Sequence, residues 1–324
     1  MLINDWAVVM NLVAIALLGF IISVSLLSAV WLLLSQFVHL FSTKSQKLVM
    51  WIWVTGPWVL GFITMLVFSP IFEQTPMHAW IAEVAHWHHL YVFQLDSWHG
   101  LSVALFILFS VVILNIKWRQ LHGQSSSVQM LKAFSNSQHR TISEQRIIVL
   151  DSDVPTAFTS GLIKPICYVS SGLVKQLTGK ELDIVIEHEL AHVRKKDPLF
   201  KLLFALFSAY YPKQLADKLN AKFSLITEHL ADQATVMKHS AEDIASTLIK
   251  VVRLQKAIPA YENSPVLCFF GADNIAQRVQ RLLKPINRPM PLAIPIGSLL
   301  ILLCLTVLAV DATHHLIEFS FSHP

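Results

Sequence analysis

Charge is scarce in this chain, and where it occurs it is unevenly placed. Only 14% of the 324 residues are Asp, Glu, Lys or Arg, against 54% hydrophobic, and the mean hydropathy is +0.54. An ordinary soluble domain carries roughly a quarter charged residues, so that class is excluded. Basic residues are missing altogether from 1–43, 48–116 and 289–324. Cysteine is almost absent. Cys167, Cys268 and Cys304 have a spacing that suits neither a disulfide framework nor a zinc knuckle, which is consistent with a reducing, cytoplasmic setting. No basic residue precedes the first apolar run, which opens on Asn4 and Asp5, and no small-residue cleavage site follows a short core. A cleaved secretory signal is therefore disfavoured, and the first segment reads as a retained anchor.

What is present is four long apolar runs, at 6–41, 48–71, 100–116 and 291–310. Three are near the length that crosses about 30 Å of hydrocarbon. The first is longer than needed. It is either one tilted helix projecting from the membrane or a tight hairpin, and no Gly-Pro or Asn-Gly signal supports the hairpin. Of 25 Lys and Arg, 23 lie between Lys117 and Arg288. The positive-inside rule places 42–47 and 117–288 in the cytoplasm, and the N-terminus, the loop 72–99 and the tail 311–324 outside. The organisation expected is a membrane region at 1–116 with three spans, a cytoplasmic domain at 117–288, and a last span with a short outer tail at 289–324. This predicts a multi-pass protein of the cytoplasmic (inner) membrane with the bilayer as a partner. The middle region carries 15 acidic residues, a net of +8. The topology rule explains that excess, and contact with anionic lipid heads or an acidic partner is the functional alternative.

Within 117–288, the polar stretch 124–127 reads as a linker. The runs 146–150, 156–161 and 165–170 read as strands, the last two joined by a Gly-Leu-Ile-Lys turn. Thr178-Gly-Lys-Glu181 is a capping box, and the helix it opens runs to about Lys196. Asp197-Pro198 ends that helix and starts another, with Asp as the N-cap. The apolar stretch 199–211 is too short to span; it is a core helix or one lying against the membrane. A further helix is expected from about Leu215 to Lys238. The fold class is α+β: four transmembrane helices and a mainly helical domain with a small sheet.

Residues 187–192 read Glu-His-Glu-Leu-Ala-His. His188 and His192 are four apart, on one face of a helix, so two imidazoles can grip one zinc ion. Glu189 sits beside that face, where a carboxylate can take a proton from water acidified by the metal. Leu182, Val185, Ile186 and Val193 share its side, which points it into the interior, where a carboxylate needs a partner. A catalytic zinc needs a third protein ligand. Glu228 is the best candidate, with Asp232 one turn on to accept the free ring N–H of a ligand histidine. Taken alone the pair also reads as an exposed acidic face. Ala231 and Ala234 would let the two helices approach closely, and His229 points elsewhere, as a surface or supporting residue.

Thr-Ala-Phe-Thr-Ser-Gly at 156–161, Tyr168-Val-Ser-Ser-Gly-Leu, Glu-His-Glu-Leu-Ala-His-Val-Arg-Lys-Lys-Asp at 187–197 and Glu228 with Asp232 together resemble the BlaR/MecR-type integral-membrane metallopeptidases, which are gluzincins. The chain is also similar to the related membrane quality-control and prenyl-protein proteases. The resemblance implies that His188, His192 and Glu228 bind Zn2+, that Glu189 is the general base, and that strands near 156–170 bind substrate as an added strand. It implies a protein substrate, such as a transcriptional repressor cut after a β-lactam is sensed outside, and a homodimer by analogy. No direct contact with nucleic acid is expected. Only 14 residues follow the last span, so the penicillin-binding sensor domain is missing, which questions antibiotic sensing but not proteolysis.

The loop 72–99 holds His78, His86, His88, His89 and His99 with Trp80, Trp87 and Trp98. It reads as an interfacial loop, or as a metal or pH sensor built on His86, His88 and His89. Three functions are expected to compete: a signalling endopeptidase, a housekeeping membrane protease, and a non-enzymatic receptor with a structural zinc site. A structural site takes four protein ligands and needs no base, so Glu189 counts against the third.

Overall fold

The computed structural model describes residues 2, 3, 5–72, 90–134, 138–142, 145–256 and 274–321. The first apolar run forms one helix, α1 (Asp5–Leu34), and not a hairpin. A 3-10 turn at Val38–Leu40 redirects the chain into α2 (Thr43–Val67), whose N-cap Ser42 accepts from the Ser45 amide. The other apolar runs form α3 (Trp98–Phe134) and α10 (Ala293–Phe321). By length and composition four segments can cross a membrane: Asp5–Trp31, Thr43–Val67, Trp98–Gln120 and Ala293–Ile317. Helices α1 and α2 pack closely because Gly61 has no side chain. A Cβ there would lie 2.6 Å from the Ala16 carbonyl oxygen.

Two expectations are corrected. The stretch 124–127 is no linker but lies inside α3. Gln is a good helix former, Ser is tolerated, and no proline interrupts the ladder. The segment 311–321, expected as a tail, continues α10. Polar residues such as Asp311 and His315 end a membrane-spanning pattern, but they do not end a helix.

Among the described residues, β1 (Leu2–Ile3) pairs with β2 (Val92–Phe93). The main sheet has the order β3 (Gln138–Ile142), β4 (Gln145–Leu150), β6 (Ile166–Ser170), β5 (Ala157–Ser160). Strand β4 runs parallel to β6, with Ile148 opposite Tyr168, and β3 and β5 are antiparallel to their neighbours. The three expected strands are present. Strand β3 is additional, its Gln-His-Arg-Thr run being too polar to signal a strand. Gly161 closes the turn after β5 at φ +110°, which an L side chain rarely adopts.

Helices α4 (Ser171–Gln176), α5 (Gly179–Lys195), α6 (Asp197–Ser208), α7 (Lys213–Thr235), α8 (Ala241–Lys256) and α9 (Ile275–Leu283) complete the chain. One core joins Ile147 and Val169 of the sheet to Val185, Ile186 and Leu190 of α5 and Val251 of α8. A second joins Trp31, Met50 and Trp53 of the membrane-crossing helices to Phe204, Leu219 and Phe223 of α6 and α7. Phe204 and Phe223 stack with ring centroids 4.1 Å apart, and Trp51 meets both edge-on. Within the apolar stretch 199–211, Phe204 and Tyr211 are buried in this core, packed against a helix able to cross a membrane, while Phe200 stays exposed. Cys167 is buried and Cys304 exposed, neither paired with another cysteine among the described residues, and Cys268 lies outside them.

Candidate metal centre

The centre is built on α5, and its capping box is complete. The Thr178 amide donates to Glu181 Oε2 at 2.8 Å, and the Glu181 amide donates to Thr178 Oγ1 at 3.3 Å. Such caps are worth about 1 kcal/mol. At its other end the helix stops on Lys196 in the left-handed region, φ 51°. A non-glycine residue there costs roughly 1–2 kcal/mol. The reversal brings Asp197 back beneath the helix, where its Oδ2 lies 2.7 Å from His192 Nδ1. Asp197 is therefore not the N-cap expected of it. It stands one residue inside α6, with Lys196 at the cap position.

The three candidate donors meet. His188 Nε2 is 3.2 Å from His192 Nε2 and 3.3 Å from Glu228 Oε2, and His192 Nε2 is 3.6 Å from the same oxygen. Donors bound at about 2.0–2.1 Å to a tetrahedral ion stand about 3.3–3.4 Å apart, so this triangle fits a zinc ion. It is the one group of three or more His, Cys, Asp or Glu with ligand spacing among the described residues. Each imidazole has a carboxylate behind it. His188 Nδ1 is 3.0 Å from Asp232 Oδ1, and Asp197 stands in the same way behind His192. Such partners fix the ring tautomer and orientation. Replacing Asp197 by Asn removes the charge and keeps the shape. Competitive chelator titration should then show zinc affinity lowered about 10–100-fold.

Glu189 is 2% exposed and stands apart from the donor triangle. Thr159 on β5 donates its hydroxyl to Glu189 Oε2 at 2.8 Å, and Thr159 Oγ1 also lies 3.0 Å from the Glu189 carbonyl oxygen. The carboxylate is thereby tied to the edge strand of the sheet.

Three residues that sequence reasoning did not single out complete the centre. Lys201 Nζ lies 3.3 Å from Glu228 Oε1. Lys47 of α2 lies 3.9 Å from Asp197 Oδ1. Arg278 of α9 is 1% exposed and grips Asp232 with two bonds, Nε to Oδ2 at 2.9 Å and Nη2 to Oδ1 at 2.6 Å. Nothing in the sequence around Arg278 marks it. Thr159 did carry a signal, since it lies in the strand 156–161.

Burial pulls the Glu228 carboxyl up, but His192, Lys201 and a bond from His188 outweigh it and hold the group well below the usual carboxylate range. Burial opposes charge on His192 too, but Glu228 and Asp197 keep its proton on to about 9. The raised value fixes the sign of two effects. The metal-free chain gains stability from this proton below about 6.5 and loses it as pH rises through about 9. Zinc must displace the same proton, so its apparent affinity should rise about tenfold per pH unit up to that value, as chelator competition between pH 6 and 8 would show.

His229 is buried and not at the surface, and burial lowers its pKa to about 4. Ala231 is buried and Ala234 half-buried. His86, His88 and His89, with His78, lie outside the described residues. His99 is described, its ring 5.9 Å from that of His314.

The sequence model of the BlaR1 peptidase M56 family matches residues 15–282. Over 108 residues the chain is 30% identical to "Protease HtpX homolog 1" of Streptomyces coelicolor, a stretch that covers 33% of each chain. The chain thus spans about a third of the length of that curated relative.

Proposed function

Because the chain belongs to the BlaR1 peptidase M56 family, we propose that it is a membrane-embedded zinc endopeptidase that cuts a cytoplasmic protein, a transcriptional regulator, in signal transduction. The observation that carries this reading is the triangle of His188, His192 and Glu228 with a separate buried carboxylate, Glu189, beside it. In this reading the region 117–288 is cytoplasmic, on the side rich in Lys and Arg. When bound, zinc supplies Lewis acidity: it acidifies water and polarises a peptide carbonyl.

The chain's own residues do the rest. Glu189 takes the proton of the attacking water and hands it to the leaving amine. Thr159 holds the Glu189 carboxylate in one rotamer. Asp232 and Asp197 keep both imidazoles turned with Nε2 toward the metal position. Strand β5, outermost in the sheet among the described residues, offers its free edge to an extended substrate, which would then run past Glu189.

The test compares protein N-termini in cells expressing wild type or Glu189→Gln at matched abundance. A few new cytoplasmic N-termini found only with wild type are expected, and they name the substrate. Many would mean a broad membrane protease. None, with zinc bound in both proteins, would mean a non-enzymatic receptor.

A further inference from the structure

A second cavity, of about 620 Å³, opens behind the metal centre between the start of α2, the end of α7 and α9. Its lining includes four basic residues, Lys44, Lys195, Arg278 and Arg281, and one acidic residue, Asp232, which is already paired with Arg278. The N-cap Ser42 and the first residues Thr43 and Lys44 of a 25-residue helix lie in the wall; Ser42 caps the Ser45 amide, the Thr43 and Lys44 amides precede the helix's own backbone ladder, and the dipole there favours an anion.

The independent observation is His229. It lines this cavity, is 9% exposed, and among the described residues neither ring nitrogen has a hydrogen-bond partner. A buried polar group left unpaired costs about 1–3 kcal/mol, so a bare imidazole on a cavity wall points to a ligand. Arg281 repeats the pattern. Its Nη atoms are tied to the carbonyls of Phe41 and His39, which fixes the side chain, while its buried Nε has no partner among the described residues.

We propose that this cavity binds a phosphate group, carried by a phospholipid head or by a free phosphate. The walls offer donors of three kinds, ammonium, guanidinium and helix-terminal amide, arranged around one space. A tetrahedral oxyanion has enough acceptors to use them together. The position suits a lipid head as well. Lys44 opens a helix able to cross a membrane, and the lining residues Pro285, Ile286 and Asn287 lead toward the start of α10. Phosphate heads of anionic lipids lie at that level and attract basic side chains.

The experiment uses the full chain in detergent micelles, loaded with metal. Native mass spectrometry measures retention of phosphatidylglycerol against diacylglycerol of the same acyl chains, which lacks the phosphate. Thermal unfolding in inorganic phosphate against chloride at matched ionic strength tests the free anion. The variants are Lys44→Glu at an exposed wall position, His229→Leu, and Lys175→Glu as a control on an exposed residue outside the wall. Selective retention of phosphatidylglycerol, lowered at least about tenfold in Lys44→Glu and also lowered in His229→Leu but not in the control, identifies the lipid head. A midpoint raised by inorganic phosphate in wild type and control but not in Lys44→Glu identifies the free anion. The proposal is overturned if the two lipids are retained alike and phosphate has no effect, or if the control loses as much as Lys44→Glu.

Discussion

Purified Glu189→Gln should cut substrate about 10²–10⁴-fold more slowly than wild type while binding one zinc ion with unchanged affinity. The two halves of that result separate because the structure separates the groups. The candidate donors are His188, His192 and Glu228, and Glu189 is not among them. Glutamine has the size of glutamate and can still accept the Thr159 hydroxyl, so packing around this buried side chain is retained. What it lacks is basicity. Loss of zinc along with activity would mean that residue 189 holds the site together. Wild-type turnover with zinc bound would remove Glu189 from the chemistry altogether. Single-turnover cleavage with metal content measured on the same sample distinguishes the three results.

Arg278→Met should lower stability by about 3–5 kcal/mol and weaken zinc binding by about 10–100-fold. Both effects come mainly from Asp232, although Arg278 Nη1 also lies 3.5 Å from Glu228 Oε2. Burial would push this carboxyl up, but Arg278 and a bond to His188 hold it well below the usual carboxylate range. Without the guanidinium, a buried carboxylate has lost its counter-charge. It must protonate or let water in, and either change releases His188 from its fixed orientation. Methionine fills most of the volume, so lost packing is a small part of the effect. Thermal unfolding with and without zinc measures both losses. Adding Asp232→Asn should restore much of the stability, because the stranded charge is gone, while zinc affinity stays low. Arg278→Lys should rescue only partly, since an ammonium cannot make the two parallel bonds of the guanidinium. If Arg278→Met is as stable as wild type, the pair is a passive ion pair and the account of the support behind His188 fails.

The readings that succeeded rest on neighbours in sequence. The spacing of His188 and His192 sets a shared helix face, and Thr178 with Glu181 sets a helix start, which the structure places at Gly179. The readings that failed needed information from elsewhere in the chain. Asp197 looked like an N-cap because Asp-Pro opens many helices. Its carboxylate goes to His192 because Lys196 adopts a left-handed backbone that no local signal announced. His229 reads as a surface or supporting residue because it faces away from the metal donors on its own helix, and its burial excludes only the first. It is buried because α9 and the start of α2 close over that side. The division at residue 117 follows charge, yet one apolar core runs across it from Trp53 to Phe223.

By itself the sequence determined the helix face of the metal motif, the four apolar runs, the Lys- and Arg-rich middle and the carboxylate pair at Glu228 and Asp232. Periodicity, capping and hydropathy act over a few residues or along one run, so they can be read locally. Only the tertiary structure decided that Glu228 closes a triangle with His188, 40 positions away, and His192, and that Arg278 reaches Asp232 across 46. It also decided that a basic cavity lies behind the site. Distances of about 3 Å between such residues depend on how helices pack, and packing follows from side-chain shape and burial summed over the whole chain.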